Sequence, residues 1–582
     1  MTISNSNYDK RPCVASPVNS PVWKGWQSVC GQIRESLPRN GRRVLVIDIY
    51  PSVHDAEVLT ALKEQLRPAL TIATLDLKKS ESELLKLIGG NLTEDRIFGV
   101  FSEFNLEDFL DPQRVAAARR QVELADDGLI LIYGVGAELV ARGDLLVYAD
   151  LARWEIQLRY RRGGGNWGAE NGGEDFFRKY KRGFFVEWRA ADRHKYTLFE
   201  RVDFFLDTHK ASEPKLVGGD AIRGVVSHTV SRPFRVVPYF DPAPWGGQWI
   251  RKTCALNGEF KNYGWGFDCV PEENSLLIGF GAERIEMPSL NLVHREPVAL
   301  LGEKVYERFG AEFPIRFDFL DTMGGGNLSL QVHPLNEFIR ERFGMAYTQD
   351  ESYYLLDAGP DACVYLGLRE GIEPEAMIRD LQTANEGGQP FNAENYVNRW
   401  PARKHDHFLI PAGTVHCSGA NAMVLEISAT PYIFTFKLWD WQRLGLDGKP
   451  RPIHLNYGIS SIQWNRTTEW VEQQLINCVE PLARGEGWRE ERTGLHDSEF
   501  IETRRHWFTG KTPHHTQGGV NVLNLISGQE AVVESPDHQF EPFVVHYAET
   551  FIVPAAVGAY TISPYGSAEG TECATIKAFV RT

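Results

Sequence analysis

A chain of 582 residues is too long for one ordinary core and predicts roughly three or four domains at about 150 residues each. With 43% hydrophobic and 24% charged residues it reads as globular throughout. A formal net charge of -15 removes the electrostatic ground for nucleic acid or an anionic membrane as the main partner, although a local basic pocket could still hold an anionic substrate.

The eight cysteines, at positions 13, 30, 254, 269, 363, 417, 478 and 573, contain no C-x-x-C pair. Neither a disulfide framework nor a thiolate zinc site is expected, and a reducing compartment fits best. The N-terminal stretch MTISNSNYDKRPCVASPVNSPVW lacks an apolar core segment, and no uncharged apolar run approaches about twenty residues. The expected location is the cytoplasm.

From about residue 42, short apolar runs alternate with helical stretches: RVLVIDIY, DAEVLTALKEQL, LTIATLDL, GLILIYGVGAEL and DLLVYADL. That alternation predicts an α/β domain over residues 1–230 with a mostly parallel sheet. Its first strand ends in DIYPSVHDAE, where a phosphate-binding loop would need glycines and a lysine. The front domain resembles the P-loop fold of nucleoside kinases without its phosphate loop, so neither phosphoryl transfer nor nucleotide binding is expected of it. GVGAEL reads as a strand-to-helix turn. Residues 160–190, rich in glycine and paired charges, read as a mobile loop or lid. Arg178, Lys179, Lys181 and Arg182 within it form either a solvated charged turn or a phosphate contact.

After about residue 230 the pattern changes to short β-branched and aromatic runs separated by Gly, Pro and Asn, among them LSLQVH, ESYYLLDAG, CVYLGL, HFLIPAGTVH, MVLEISA and FTFKLW. This is the pattern of antiparallel barrels or sandwiches. It assigns residues 231–370 and 401–470 to one β domain, interrupted by a helical insert at 371–400, and residues 471–582 to a second, smaller one.

The stretch NLSLQVHPL carries the chemistry. Side chains alternate across a strand, so Leu328, Leu330 and Val332 share one face while Ser329, Gln331 and His333 share the other. An imidazole and an amide oxygen two residues apart are suitable metal ligands, though two do not make a site. Glu351 in QDESYYLLDAG and His416 in IPAGTVHCSG stand at strand ends that neighbouring strands could bring to the same mouth. Such mixed N and O ligation suits zinc or another first-row divalent ion.

The ordered set LSLQVHP, a Glu before an aromatic strand with LLDAG, YLGLREGI, IPAGTVH, LEIS and KLWDWQRLGLDGKPRPIHL resembles the type I phosphomannose isomerases, zinc-dependent cupins, over roughly residues 235–582. APWGG and YAETFIVPAAVGAY add to the resemblance. It implies cupin (jelly-roll) β domains and one Zn2+ or similar divalent ion per chain, held by Gln331, His333, Glu351 and His416. It also implies interconversion of mannose 6-phosphate and fructose 6-phosphate through an enediol. Glu426 in VLEIS then becomes the candidate proton carrier, and Lys437, standing where the family has an arginine, a candidate to stabilise the enediolate or bind an anion. Ser329, Arg316 and Lys437 become candidate substrate contacts.

Two departures bear on the substrate. The segment Gln349, Asp350, Glu351 stands where the family often has K-x-E, and the lysine the resemblance implies before the first metal strand is replaced near Asp318 in IRFDFLDT. Fewer cations make a poorer phosphate pocket, which favours a sugar that is unphosphorylated or differently charged. A reading of another class is a non-catalytic sugar-binding or regulatory protein. In each case the partner is a small sugar or sugar phosphate, with no nucleic acid and no membrane.

Overall fold

The computed structural model describes residues 6–430, 432–494, 496 and 498–582. Its front part is built on a seven-stranded sheet. The spatial order is Val22–Lys24, Lys215–Gly218, Phe204–Asp207, Leu145–Asp150, Arg42–Ile49, Gly128–Gly134 and Leu70–Ala73. The last five of these pair in parallel, and the first two close one edge antiparallel. Val44 to Ile49 are buried at every position, which is what a parallel strand covered on both faces requires.

The buried Asp48 carboxylate accepts the backbone N–H groups of Gly136 and Glu138 and contacts His194 Nε2 at 2.9 Å. It therefore ties down the GVGAEL turn, where Gly136 takes the left-handed backbone that glycine tolerates. Beside the end of Arg42–Ile49 lies a cavity of about 510 Å³, lined among others by Ser52, His54, Asp55, Arg159 and Asn166. Arg159 binds Glu155 and the carbonyls of Ser52 and Thr208, so this cation is already engaged.

Within residues 160–190, residues 162–175 form a loop as expected, but the rest is helical. Asp175 caps a helix at Phe176–Arg182, which runs through a π-turn at Gly183–Glu187 into a helix at Trp188–Leu198. Arg178 is exposed, but Lys179, Lys181 and Arg182 are buried. Lys179 donates to the carbonyls of Tyr160, Gly164 and Gly172, Lys181 to that of Asp95, and Arg182 pairs with Glu81 and Glu187. These three cations are neither a solvated turn nor available to a phosphate. Burying a charge demands such partners, and helix formation turns them inward.

Two antiparallel sheets follow. One has the order His407–Ile410, Asp350–Ala358, Ala422–Ala429, Arg316–Asp321, Trp265–Cys269, Tyr239–Asp241; the other Val397–Pro401, Cys363–Leu368, His416–Ser418, Leu330–Val332, Phe436–Trp439. Glu351 of the first touches His333 and His416 of the second, so the sheets face one another. The 371–400 segment holds the helix Pro374–Asn385 and returns to the sheet as Val397–Pro401. Three short helices between Leu290 and Phe309 have no counterpart in the sequence reading. Cys13–Ala15 pairs with Ser275–Phe280, so the beginning of the chain is stitched to the β-rich part rather than to the front sheet.

The last part pairs a six-stranded and a four-stranded sheet. Among the described residues, no helix is long and apolar enough to cross a membrane. Lys577, only 6% exposed on the strand Cys573–Val580, is pushed down to about 8 by burial, with Glu490 opposing. Unfolded, it would hold its proton to about 10.4. The cost of burying the ammonium is thus fully present below pH 8 and fades as pH rises toward 10.4. Lys577→Met is expected to stabilise the protein by roughly 2–3 kcal/mol at pH 7, because Glu490 keeps His506 and Arg504 as partners. Chemical denaturation at pH 7 and pH 10 checks this: the advantage should shrink at the higher pH.

Candidate metal centre

In the strand Leu330–Val332, Gln331 stands directly opposite His416 on one side and Lys437 on the other. Residues directly opposite in a ladder share a face, so these three side chains enter the space between the sheets. Leu328, Leu330 and Val332 are buried, but so are Ser329, Gln331 and His333. From Leu328 to Pro334 neither face meets solvent.

The Glu351 carboxylate lies between two imidazoles, Oε2 at 3.1 Å from His333 Nε2 and Oε1 at 2.9 Å from His416 Nε2. Each histidine has its other nitrogen committed: His333 Nδ1–H donates to the Phe434 carbonyl at 2.9 Å, and His416 Nδ1–H to that of Thr414 at 2.8 Å. In the neutral tautomers fixed this way, both Nε2 lone pairs point at a carboxylate. Acceptors facing acceptors need a cation or protons between them. Burial raises the Glu351 carboxyl; with a proton on each Nε2 atom, His333 and then His416 would hold it well below its ordinary value.

His333, Glu351 and His416 offer ligand atoms all within 4.8 Å of one another, and the second-nitrogen bonds are those that orient metal-bound imidazoles. The donor set therefore fits a divalent ion. The Gln331 amide lies beside it, its nitrogen 3.2 Å from His416 Nε2; a flip of that amide would turn its oxygen toward the same point. All four residues expected to hold a metal are thus brought together.

A support for this cluster was missed in the sequence. Gln349 donates to Glu351 Oε2 at 2.8 Å and accepts from the Phe434 backbone N–H at 2.9 Å. One amide thus links the carboxylate to the residue whose carbonyl orients His333. Its only sequence signal was the absence of a lysine two residues before Glu351.

Glu426 stands opposite Asp318 on one neighbouring strand and Tyr353 on the other. With Glu351 close by, three carboxyl groups crowd this side. Burial first, then Glu351 and Asp318, push Glu426 well above the usual carboxylate range. Burial, opposed by Arg316 and reinforced by Glu351, pushes Asp318 up to about 7. A carboxyl poised so can hold a proton near neutrality and exchange it with a bound molecule.

Arg316 and Ser329 are present but engaged. Arg316 lies 3.9 Å from Glu272, which also meets Arg153 of the front part at 3.6 Å. Ser329 Oγ donates to Asp440 at 3.0 Å and accepts from Arg451 at 3.1 Å. Lys437 is pushed down to about 7 by burial, followed by Arg451, with Asp440 opposing.

The front part closes over this region. Phe98 packs on Phe434, Phe436 and His454, Tyr180 donates to Glu273, and Tyr432 packs on Phe184 and Phe185. None of these contacts was legible as a motif.

Comparison with known proteins divides the chain. A family described as a domain of unknown function, DUF8485, matches residues 25–231. The mannose-6-phosphate isomerase of Streptococcus mutans is 21% identical over 322 residues, covering 54% of this chain and 90% of that protein. Mannose-6-phosphate isomerase ManA of Bacillus subtilis is 29% identical over 154 residues, 26% of this chain and 45% of that protein. The crystal structure of the mannose 6-phosphate isomerase from Bacillus subtilis superposes with a TM-score of 0.48 at 18% identity, covering 60% of this chain and 99% of that one. Over about half its length, the chain is related to the type I mannose-6-phosphate isomerases.

Proposed function

We propose that the protein is a metal-dependent aldose-ketose isomerase, with mannose 6-phosphate and fructose 6-phosphate as its substrate pair. The observation that carries this reading is the convergence of two oriented imidazole lone pairs on the buried Glu351 carboxylate. Gln331, His333, Glu351 and His416 are the residues that would hold the ion, one per chain, and zinc suits their mixed N and O character. Such an ion supplies a positive charge that polarises the sugar oxygens as negative charge develops on them.

The remaining work falls to this chain's own side chains. Glu426, as the carboxylate, takes the proton from C2 of the aldose and returns it to C1 of the enediol, while the hydroxyl proton on O2 passes to O1, so that the C1 carbonyl becomes a hydroxyl and C2 the ketone. Burial, with Glu351 and Asp318 beside it, raises its pKa and so makes it a stronger base toward that proton than an exposed carboxylate. Lys437, directly across the ladder from Gln331, would meet an oxyanion or phosphate, while Ser329 and Arg316 would border the sugar. The eight free cysteines fit a cytoplasmic location.

Incubation of the zinc-loaded protein with mannose 6-phosphate in deuterated water, followed by NMR, tests the reading. Appearance of the ketose with deuterium entering at the exchanging carbon is expected; neither ketose nor exchange would overturn it. Glu426→Gln should lower kcat about 10²- to 10⁴-fold with bound metal retained, as metal analysis of the same sample would show.

A second reading has an observation of its own. Lysines that the family often has are replaced at Gln349 and near Asp318, and Asp318 adds an acid beside Glu426. The same chemistry on an unphosphorylated or differently charged sugar would follow, visible as a higher kcat/KM for mannose than for its 6-phosphate.

A further inference from the structure

The front part holds a cavity that the isomerase chemistry does not use. In its sheet the strand Arg42–Ile49 lies between Gly128–Gly134 and Leu145–Asp150. The chain leaves it for Leu70–Ala73, beyond Gly128–Gly134, and later fills the other side, so the strand order reverses at Arg42–Ile49. In open α/β sheets such a reversal, at the carboxyl ends of the strands, is where a crevice for a ligand forms. The cavity of about 510 Å³ stands there: Ile49 ends one strand, Val135 follows its neighbour, and both line it. Its size falls in the range of about 300–1,000 Å³ usual for small-molecule sites.

Val53, Val135, Tyr160 and Trp167 give the cavity apolar sides. The helix Asp55–Leu66 begins at its edge, and His54, at the N-cap, offers no side-chain cap. Among the described residues, the backbone N–H groups of Asp55, Ala56 and Glu57 have no acceptor. Asp55 uses Oδ1 for the Tyr133 hydroxyl at 3.0 Å, and Glu57 uses Oε1 for the Ser212 N–H at 2.7 Å. Asp55 Oδ2 and Glu57 Oε2 receive no donor among the described residues. Open donors and open acceptors therefore stand side by side.

That pairing selects the ligand. An anion would satisfy the N–H groups but meet two carboxylates, and Arg159 of the lining is spent on Glu155 and on the carbonyls of Ser52 and Thr208. A cation would satisfy the carboxylates but face the positive end of the helix. A hydroxyl both donates and accepts, and a ring that carries several also has an apolar body to lie against aromatic side chains.

We infer that this cavity is a binding site for a neutral polyhydroxylated small molecule of the free-hexose class, held by Asp55, Glu57 and the first turn of their helix. It shares no residue with the His333–Glu351–His416 cluster, so it stands or falls independently of the isomerase reading.

The test is calorimetry with D-mannose and D-fructose on the full-length His333→Ala protein, which removes the metal centre, and on the same protein carrying Ala56→Trp or Glu57→Gln. Ala56 is exposed, so a tryptophan there fills the mouth of the cavity without entering the core. At least one hexose should bind, with Kd raised more than tenfold by Ala56→Trp. Glu57→Gln keeps an oxygen for the Ser212 N–H but loses the charge, and should raise Kd by about 10- to 100-fold. Mannose 6-phosphate should bind more weakly than mannose. No hexose binding that these variants weaken, or tighter binding of the phosphate ester at this site, would overturn the assignment. Should Ala56→Trp fail to fold, Glu57→Gln alone decides.

Discussion

His333→Ala is expected to leave a folded protein that no longer retains a stoichiometric metal and has lost isomerase activity by more than about a thousandfold, a larger effect than the 10- to 100-fold typical of losing an outer partner of a metal ligand. His333 is fully buried, its Nδ1–H is fixed by the Phe434 carbonyl, and its Nε2 faces Glu351 at 3.1 Å. Removing the ring leaves Gln331, Glu351 and His416 around a cavity and deprives the Phe434 carbonyl of its donor, at a cost of about 1–3 kcal/mol. That is affordable for a chain of this size only if the rest of the site holds, so circular dichroism accompanies the metal analysis. A folded variant that keeps one metal per chain and full turnover would refute the ligand assignment. Loss of metal with retained turnover would instead refute the dependence of the reaction on that metal.

The sequence made some of this legible and hid the rest for physical reasons. The period of two in NLSLQVHPL put Gln331 and His333 on one face, because alternation is a local property of any strand. It said nothing of the other face also being buried, since that depends on which sheet lies behind. Glu351 and His416 stood out at strand ends and the ordered family resemblance made them ligands, but the ladder that sets His416 opposite Gln331 is visible only in the register. Gln349 was noted as a missing lysine. Its role in joining Glu351 to Phe434 spans 85 residues and leaves no pattern. The cations at 179, 181 and 182 misled most, because a charged run looks the same whether it faces water or satisfies buried carbonyls. The segment EDRIFGV carries no motif of its own. Its Arg96 and Phe98 acquire meaning only once residues more than 300 positions away are folded against them.

That last point makes Phe98 the sharpest test of whether the front part and the metal centre form one unit. Phe98 is 1% exposed, and its ring stacks on Phe434 at 5.6 Å and 13°, with Phe436 at 5.2 Å, His454 at 4.9 Å and Phe343 at 5.6 Å. Phe434 in turn presents the carbonyl that holds His333 and the N–H that holds Gln349. Phe98→Ala should cost about 3–5 kcal/mol. The cavity opens at the seam, where the front part and the barrel share one continuous core. The expected result is a lowered melting transition that splits in two, accompanied by weaker metal retention because the Phe434 backbone loses its backing. A single transition at the parent temperature with unaltered metal affinity would show that the seam contributes little and that the metal centre stands by itself. A split transition with undiminished metal retention would separate the two effects, leaving Phe98 as a docking residue that the ligand cluster does not feel.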